Sequence, residues 1–437
     1  MEWAPLAHEG LGVRELKKVD SLRVAYVTQW FSPEPSGPAF WIAQALQSLR
    51  LEVRVITAVP NYPKGVVYPG YSAIRSKREV VEGIDATRCP VYPSHDGSAL
   101  RRAINYASFA LSSSWTGRKI LSTADVALVY SSPETAAIPA LIAHRRNGVP
   151  YVLLIQDLWP ESVLQTGFLE SKVARSIAQW SLGALDEMVC NRAAHIVVIA
   201  PGMKSALVSR GVPEQKITVM FNWVDESVVF PRTRGGALRS RLGVSEGDLL
   251  FTFAGNLGVA QGLYAWLLAI EAVQDLTDLH FAFIGDGAEK SQLQSMAESL
   301  GLKRTHFIDP VELSEYVHLA ADTDAQIISL TDAPLFHITI PGKLQSCLAL
   351  GKAIIASVAG DSATIVSDSG AGLVAAPGNS AEIEKIIRQA HTEGEVGLNG
   401  RGAYGLSYYR DHMSSNTSSA LLAKTLRSAA LSGGWSA

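Results

Sequence analysis

The feature that most constrains the fold is an alternation of strands and helices that runs through the chain twice. In the first series, short apolar runs such as "RVAYVTQW" and "YVLLIQDLW" are separated by segments with helical spacing of apolar residues. The pattern restarts at "LLFTFAGNLG" and continues through "LHFAFIGDG", "AQIISL" and "KAIIAS". Short, nearly continuous apolar runs are typical of strands buried on both faces of a parallel sheet. The sequence therefore predicts an α/β protein with two doubly wound, Rossmann-like domains.

Chain length and a break in the alternation suggest the domain boundaries. At 437 residues the chain exceeds the usual domain size of about 100–200 residues. The two series are separated by "KITVMFNWVDESVVFPRTRGG", a strand followed by a loop. We predict a polar extension over 1–21, a first domain over 22–222, a second domain over 235–400 and a helical tail over 401–437. Ligand sites lie at the carboxyl ends of such strands, so facing domains would share a central cleft.

Composition excludes several classes of protein. Hydrophobic residues make up 47% of the chain and charged residues 18%, with a net charge of -3, which favours a globular core and disfavours a nucleic-acid partner. The three cysteines fit neither a disulfide framework nor a paired zinc motif, which predicts a reducing compartment. We find no signal-peptide core and no apolar run of the roughly 18–20 residues that span a bilayer. We therefore expect a cytoplasmic protein with at most peripheral membrane contact.

Glycine-containing loops at predicted strand ends are the candidate anion sites. "PEPSGPAF" places Gly37 between a strand and a helix, and "FTFAGNLGVAQGL" does the same for Gly255 and Gly258. In "IPGKLQSCLAL", Lys343 lies at a predicted helix start, where the helix dipole and the ammonium could face one anion. The spacing matches neither the dinucleotide fingerprint nor a Walker loop, and each loop alone is equally compatible with a tight turn.

Two other segments have competing interpretations. Asp322 and Asp324 are spaced like a metal-binding pair, but they precede the predicted strand "AQIISL", at the end of the sheet away from the cleft, which favours a structural role. We predict no metal site. The segment 100–115, "LRRAINYASFALSSSW", fits a helix on an anionic membrane surface and a helix packed within the first domain equally well.

Several segments, taken in order, resemble glycosyltransferase family four, in particular the branch that builds bacterial O-antigen, colanic acid and other exopolysaccharides. They include "AYVTQWFSPEPSGPAFWIAQAL", "AVPNYPKGVVYPGY", "YVLLIQDLWPESV", "FNWVD" and "PGKLQSCLALGKAIIAS". The resemblance implies a GT-B fold, a nucleotide-sugar donor bound by the second domain, and a glycan acceptor, lipid-linked or oligosaccharide, bound by the first. It also implies a retaining reaction at the inner face of the cytoplasmic membrane, with no cofactor and no metal.

The resemblance also implies roles for particular residues. Lys343 would act as the counter-charge to the departing diphosphate, and Asp157 would orient the acceptor. The donor would be bound by Gly37, Pro38, Gly255, Asn256, Gly258, Gln261, Gly285, His337, Gly342, Lys343 and Ser346.

The chain departs from the family pattern at five positions. Asn256 and Gln261 stand where many relatives have an arginine and a lysine, and Gln156 stands where a histidine is common. Ile338 and Ser346 occupy the places of two paired glutamates. These departures fit an inactive relative, a shifted site, or a version of the site that belongs to the polysaccharide branch, and we favour the last.

Two rival functions remain compatible with a pair of such domains. A non-hydrolysing sugar-nucleotide epimerase would need acid and base groups in the cleft. A ligand-binding protein of the periplasmic type would close on a solute without reacting it, and it would carry a signal peptide.

Overall fold

The computed structural model describes residues 22–95, 98–160 and 172–432, which fall into two units. The first unit contains the chain up to Val198, Leu207–Met220 and the chain from Ser419 onward. The second contains Ile199–Ala206 and Phe221–Ser418. The predicted extension over 1–21 and the end of the motif "YVLLIQDLWPESV" lie outside the described residues.

The first unit is built on an eight-stranded sheet in the order β3-β4-β2-β1-β5-β6-β7-β8. All neighbouring strands are parallel except β3 and β4. The strands are β1 (Arg23–Val27), β2 (Glu52–Ala58), β3 (Lys77–Val81), β4 (Ile84–Cys89), β5 (Val126–Ser131), β6 (Tyr151–Ile155), β7 (His195–Val198) and β8 (Ile217–Val219). The central strands are buried along almost their whole length, as expected for a sheet covered on both faces.

Among the described residues, six α-helices precede β8 in the chain. They are α1 (Gly37–Ser48), α2 (Ala99–Thr116), α3 (Arg118–Thr123), α4 (Ile138–Asn147), α5 (Lys172–Arg192) and α6 (Pro201–Ser209). The segment 100–115 therefore forms most of α2, which begins at an N-cap where the Ser98 hydroxyl accepts a hydrogen bond from the Arg101 amide.

The second unit is built on a six-stranded parallel sheet in the order β11-β10-β9-β12-β13-β14. The strands are β9 (Leu249–Ala254), β10 (Leu279–Ile284), β11 (Thr305–Ile308), β12 (Ala325–Ser329), β13 (Ala353–Ser357) and β14 (Gly372–Ala375). This is the 3-2-1-4-5-6 order of a Rossmann sheet, in which the strand order reverses beside the first strand. Buried apolar residues such as Phe253, Trp266 and Phe283 form its core.

The helices that follow β8 are α7 (Ala237–Leu242), α8 (Tyr264–Ala272), α9 (Lys290–Ser299), α10 (Leu313–Ala321), α11 (Pro334–His337), α12 (Gly342–Ala349), α13 (Gly360–Asp368), α14 (Ser380–His412) and α15 (Ser415–Leu431). The long α14 is interrupted at Gly394, whose φ of 62° is not helical. Within the described ranges, no helix combines the length and the apolar character needed to cross a membrane.

The predicted α/β class and the two doubly wound sheets are confirmed, but the organisation of the last segment differs from the prediction. We expected residues 401–437 to form a tail of their own. Instead, residues 401–418 belong to the second unit through α14, whereas the chain from Ser419 onward belongs to the first unit. The side chains of Leu422, Ala423 and Leu426 are fully buried, which is why α15 is part of a core.

Candidate functional site

The second unit contains a cavity of about 450 Å³ at the carboxyl ends of its strands. It lies where β9 and β10 end, beside the loop that follows β11 and the first turn of α12. The lining residues are Ala254, Gly255, Asn256, Ile284, Gly285, Asp286, Pro310, Val311, Leu313, Tyr316, Lys343 and Ser346. This edge of a Rossmann sheet is where ligands bind in open α/β folds.

Glycines allow the loops after β9 and β10 to touch each other. Gly255 and Gly285 have φ values of 133° and 148°, which L side chains rarely adopt. A Cβ built on Gly285 would lie 1.9 Å from the carbonyl oxygen of Gly255. The close approach of the two loops therefore requires glycine at position 285.

Most backbone amides of the predicted loops are already used within the protein. The amide of Gly255 donates to the Ile284 carbonyl (2.8 Å) and that of Gly285 donates to the Ile308 carbonyl (2.9 Å). The amide of Gly258 donates to the Gln261 side chain (3.3 Å). The glycines therefore shape the floor of the cavity, and an anion would need donors from elsewhere.

The first turn of α12 offers such donors. Pro341 occupies its N-cap position and provides no side-chain cap, so the amides of Gly342 and Lys343 have no earlier helix carbonyl to bond. These two amides and the helix dipole form a local positive end beside the cavity.

Lys343 is the basic residue of the cavity lining, which also contains the acidic residue Asp286. Its Nζ atom lies 3.4 Å from the centroid of the Phe253 ring and close to Gly255, where an added Cβ would approach it to 3.0 Å. Burial lowers the pKa of Lys343 to about 8, against a small opposing effect of the Cys347 thiol. Among the described residues, Nζ contacts the Phe253 ring but has no hydrogen bond and no ion pair. The geometry leaves an ammonium without a counter-charge in an anion-sized space.

Asn256 lines the cavity, whereas Gln261 and Gly258 do not. The side-chain amide of Asn256 donates a hydrogen bond to the side-chain oxygen of Gln261 (3.1 Å). The backbone carbonyl of Gln261 accepts a hydrogen bond from the Ser329 hydroxyl (2.5 Å). Gln261 therefore braces the loop that carries Asn256.

The remaining residues predicted for the donor site are spread along α11 and α12. Ser346 lines the cavity, and its hydroxyl donates to the Gly342 carbonyl (3.1 Å). His337 is not a lining residue, and its ring nitrogen pairs with the Asp332 carboxylate (2.6 Å). Ile338 packs against Gly202, where an added Cβ would lie 2.6 Å from its side chain.

Asp286 and the apolar side of the cavity were not assigned to a site from the sequence. Asp286 follows β10 directly, and its carboxylate accepts a hydrogen bond from the Gly287 amide (2.8 Å). Pro310, Val311 and Leu313 form an apolar wall of the cavity, as is common in sites for small organic ligands. Asp286 could have been found from the motif "FIGDG", but no periodicity marks the loop after β11.

In the first unit, Asp157 lies just beyond the end of β6. Its carboxylate accepts a hydrogen bond from the Ser132 hydroxyl (3.2 Å). Desolvation raises the pKa of Asp157, although its side chain remains accessible to solvent. A carboxylate that is accessible and yet surrounded by protein atoms is typical of a concave surface.

Aromatic side chains surround this part of the first unit. Trp30 follows β1, Tyr62 follows β2, Trp159 follows β6 and Tyr106 projects from α2. Ring centroids are 5.3 Å apart for Trp30 and Tyr62, 6.5 Å for Trp30 and Tyr106, and 6.2 Å for Tyr106 and Trp159. We call these four residues the aromatic cluster. An aromatic residue within four positions of the end of each of three strands was the available signal in the sequence.

Gly37 and Pro38 form the first turn of α1, which follows β1. An added Cβ on Gly37 would lie 2.6 Å from the Trp41 ring, so glycine is needed for the packing of this turn. Nearby, the buried Glu34 carboxylate accepts hydrogen bonds from the amides of Asn61 (2.7 Å) and Tyr62 (2.8 Å), which joins the loops after β1 and β2.

The acidic pair of the second unit has a structural role. The Asp322 carboxylate accepts hydrogen bonds from the amides of Gly235, Gly236 and Leu238 at 2.6–2.9 Å. Asp324 forms ion pairs with Arg234 and Arg239. Both carboxylates are therefore fully occupied by protein donors.

One group of possible metal ligands occurs among the described residues. Glu134, Asp186 and Cys190 are buried in the first unit with ligand atoms within 4.8 Å of one another. Asp186 is already paired with Arg210 (2.9 Å), and burial raises the pKa of the Cys190 thiol, which favours its neutral form. We assign no metal to this group.

Comparisons with known proteins match both units. Residues 39–223 match the glycosyl transferase 4-like domain, and residues 248–393 match the glycosyl transferases group 1 domain. The chain is 28% identical over 336 residues to the putative colanic acid biosynthesis glycosyl transferase WcaI of Escherichia coli (strain K12), covering 74% of this chain and 79% of that protein.

Solved structures share the fold at low sequence identity. Sucrose-phosphate synthase from Thermosynechococcus elongatus has a TM-score of 0.68 at 12% identity, covering 93% of this chain and 98% of that one. Anabaena HepE in complex with UDP-glucose has a TM-score of 0.63 at 15% identity, covering 93% and 99%. The two matched domains together cover most of the chain, and the protein therefore belongs to the family-four glycosyltransferases of the GT-B fold.

Proposed function

We propose that the protein is a retaining, metal-independent glycosyltransferase that moves a sugar from a nucleotide-sugar donor to a lipid-linked glycan in surface polysaccharide synthesis. The observation that carries the proposal is the unpaired ammonium of Lys343 beside the uncapped start of α12. A cavity that holds this cation at the carboxyl edge of a Rossmann sheet suits a nucleoside diphosphate.

The costly event in such a transfer is the departure of the nucleoside diphosphate, which gains negative charge as the glycosidic bond breaks. Lys343 and the first amides of α12 are placed to stabilise that charge. They supply to the diphosphate the positive potential that a divalent cation would otherwise provide. The apolar wall of Pro310, Val311 and Leu313 would contact the base.

The named relatives support the choice of substrates. WcaI is named for colanic acid biosynthesis, and HepE was solved with UDP-glucose. We infer by analogy that this chain uses a nucleotide sugar and elongates a polysaccharide precursor. Retention of configuration is the expectation for the family.

The outer face of α2 supports contact with a membrane, where a lipid-linked acceptor would be found. Leu100, Leu111 and Trp115 are each more than 70% exposed, and Ile104 is also exposed on the same face of the helix. Residues 98–124 include four arginines and lysines and no acidic residue. An apolar face bordered by cations is typical of helices that lie on anionic bilayers. On this basis we propose that the protein works at the inner face of the cytoplasmic membrane.

A screen of nucleotide sugars tests the proposal. Purified protein is heated with each candidate donor, because a ligand that binds only the folded state raises the apparent melting temperature. The donor that shifts the melting temperature is then incubated with a membrane extract from the source cells, with and without EDTA. We expect transfer that EDTA does not reduce, and an anomeric proton in the product with the configuration of the donor.

Lys343→Met should weaken donor binding by about 10–100-fold, the range for losing one buried charge-assisted contact. Lys385→Met, at an exposed position on α14, is the matched control and should bind donor like the unaltered protein. A new epimer of the donor, formed without acceptor, would instead indicate an epimerase. No stabilisation by any donor would refute the proposal.

A further inference from the structure

The strand β11 lies at the edge of the second sheet and is held there by one short ladder. Its residues Thr305–Ile308 pair in parallel with Phe281–Ile284 of β10, and among the described residues no strand pairs with its other side. Three of its four side chains are only partly buried. A segment with few buried apolar contacts opens more readily than the centre of a sheet. Side-chain contacts between β11 and β10 therefore contribute to how firmly β11 is held.

Two histidines make such a contact towards the amino ends of β10 and β11. Nδ1 of His280 and Nε2 of His306 are 3.5 Å apart, and the two ring planes are inclined by only 8°. Nε2 of His280 lies 3.3 Å from the carboxylate of Asp248, which directly precedes β9. The three side chains form a row that runs from the start of β9 to the edge strand, away from the cavity at the carboxyl ends of the strands.

The carboxylate of Asp248 sets the positions of the protons in this row. It favours the tautomer of His280 with the proton on Nε2, which leaves Nδ1 as the acceptor for Nε2–H of His306. One added proton is accommodated, because the imidazolium of His280 donates to Asp248 on one side and to His306 on the other. A second added proton puts an N–H group on both facing nitrogens, and two cations then repel each other across 3.5 Å.

The charges around the histidine pair do not balance two added protons. Burial lowers the pKa of His280; the carboxylate of Asp248 opposes this shift, whereas the guanidinium groups of Arg304 and Arg239 add to it. Burial also lowers the pKa of His306, and His280 contributes in the same direction. Asp248 is thus the counter-charge for the pair, and it can neutralise one imidazolium but not two.

The next carboxylate along the chain is already paired. Asp278 directly precedes β10 and accepts a hydrogen bond from His391 of α14 (2.8 Å). The histidine pair therefore keeps its lowered pKa values, below the value of about 6.5 for a solvent-exposed histidine. Below about pH 6.5 an opened β11 binds more protons than a closed one, so the closed form loses stability as the pH falls.

We propose that Asp248, His280 and His306 form a proton-controlled latch on β11, which holds the strand while the histidine pair carries at most one proton and releases it when the pair carries two. The inference is independent of the proposed function. Pro310 and Val311 of the cavity wall lie within three residues of the end of β11, so an opened strand also frees this wall. Local opening involves a minor population of a folded protein, and most molecules stay closed.

Hydrogen exchange of the full chain, without any ligand, tests the latch. Mass spectrometry follows the peptides that contain β11 at pH 7.5 and at pH 5.5, and each rate is divided by the intrinsic exchange rate at that pH. We expect the protection of β11 to fall by about tenfold or more, because each excluded proton lowers the ratio of closed to open strands by up to about tenfold per pH unit. The central strand β12 should change less.

His306→Gln keeps a hydrogen-bonding side chain that does not titrate, and its β11 protection should fall much less between the two pH values. His280→Gln provides the same test if circular dichroism shows that His306→Gln does not fold. His318→Gln is the matched control, because His318 is exposed on α10 of the same unit, and it should behave like the unaltered protein. Asp248→Asn removes the counter-charge and should deepen the loss at pH 5.5, whereas a purely structural contact would be lost equally at both pH values.

The same fall in β11 protection in the unaltered protein and in both glutamine variants of the pair would overturn the latch. Unchanged protection of the unaltered protein between pH 7.5 and pH 5.5 would overturn it too. Neither outcome depends on a donor: if no nucleotide sugar binds, the proposed function fails while hydrogen exchange still decides on the latch.

Discussion

The ionisation of Lys343 predicts a pH dependence of donor binding. With a pKa of about 8 in the free protein, roughly nine in ten molecules carry the ammonium at pH 7. A bound diphosphate stabilises the protonated form and raises this pKa, so binding takes up a proton once the pH exceeds about 8. Donor affinity measured by calorimetry should be constant below about pH 7 and fall by up to about tenfold per pH unit above pH 8.

Lys343→Arg is the control for this dependence, because a guanidinium stays protonated across the range. Its donor affinity should vary little between pH 7 and pH 10, whatever its absolute value. The same decline in both proteins would mean that another group titrates, and the assignment to Lys343 would be wrong.

Gly285 tests the contact between the loops after β9 and β10. Alanine at this position would place Cβ 1.9 Å from a backbone oxygen, at a φ of 148°. We expect Gly285→Ala to lower the free energy of unfolding by about 3 kcal/mol or more, measured by denaturant titration. Gly183→Ala, at an uncrowded position within α5, should raise it by about 0.5–1 kcal/mol. Equal effects would show that the loops can separate without cost.

For single residues, the sequence predicted where a side chain lies in the fold better than it predicted the pKa and the hydrogen bonds of that side chain. Lys343 was predicted at a helix start, and it lies there beside the cavity. Its lowered pKa could not be predicted, because it depends on burial beside Phe253, which is distant in sequence. Donor binding by Gln261 stays a prediction, and the structure adds that its side-chain oxygen accepts a hydrogen bond from the Asn256 side chain, a contact that no motif encodes.

Among the elements, α2 presents two different faces. Asn105, Phe109 and Ala110 pack inward, while Leu111 and Trp115 are exposed. The guanidinium of Arg118 lies 4.2 Å from the centroid of the Trp115 ring, which keeps a cation beside the exposed apolar side chain. The two interpretations of segment 100–115 are thus compatible, because one face is packed and the other is open.

The exposed face of α2 predicts binding to anionic vesicles. A variant with Leu111→Ser and Trp115→Ser should lose more than about tenfold in partitioning, since each side chain would bury apolar area in the bilayer. Co-sedimentation with vesicles that contain phosphatidylglycerol measures the loss, and vesicles of phosphatidylcholine alone should bind less. Trp180→Ser, equally exposed on α5, should behave like the unaltered protein. Undiminished binding of the double variant would argue against a membrane role for α2.

The strands β3, β4 and β11 were missing from the sequence prediction for physical reasons. β4 reads IDATRC, in which polar residues interrupt the apolar ones. β3 reads KREVV and is largely exposed, so it lacks the buried apolar run by which the other strands were found. It pairs with β4 through a tight turn at Glu82 and Gly83, both with positive φ. β11 has four residues, three of them only partly buried. Strands at the edge of a sheet have few buried apolar residues. Hydrophobic periodicity therefore detects central strands more readily than edge strands.

For the whole molecule, the sequence predicted the number and type of sheets, because parallel strands buried on both faces appear in the sequence as short, nearly continuous apolar runs. It also predicted a domain junction over 222–234, and in the structure the long segment of the second unit begins at Phe221. The assignment of Ile199–Ala206 to the second unit and of α15 to the first could not be foreseen. Such assignments depend on contacts between residues that are far apart in the chain, as between Arg427 and the Leu49 carbonyl (3.3 Å).

Most of α15, from Ser419 onward, belongs to the first unit although it is synthesised last. This order affects how the first unit can fold during synthesis. Leu422, Ala423 and Leu426 complete a core whose other residues were made first. The first unit therefore cannot finish folding on the ribosome until nearly the entire chain has emerged, whereas the second unit has all of its residues by Ser418. A fragment cut at the apparent domain boundary would leave an apolar surface of the first unit uncovered.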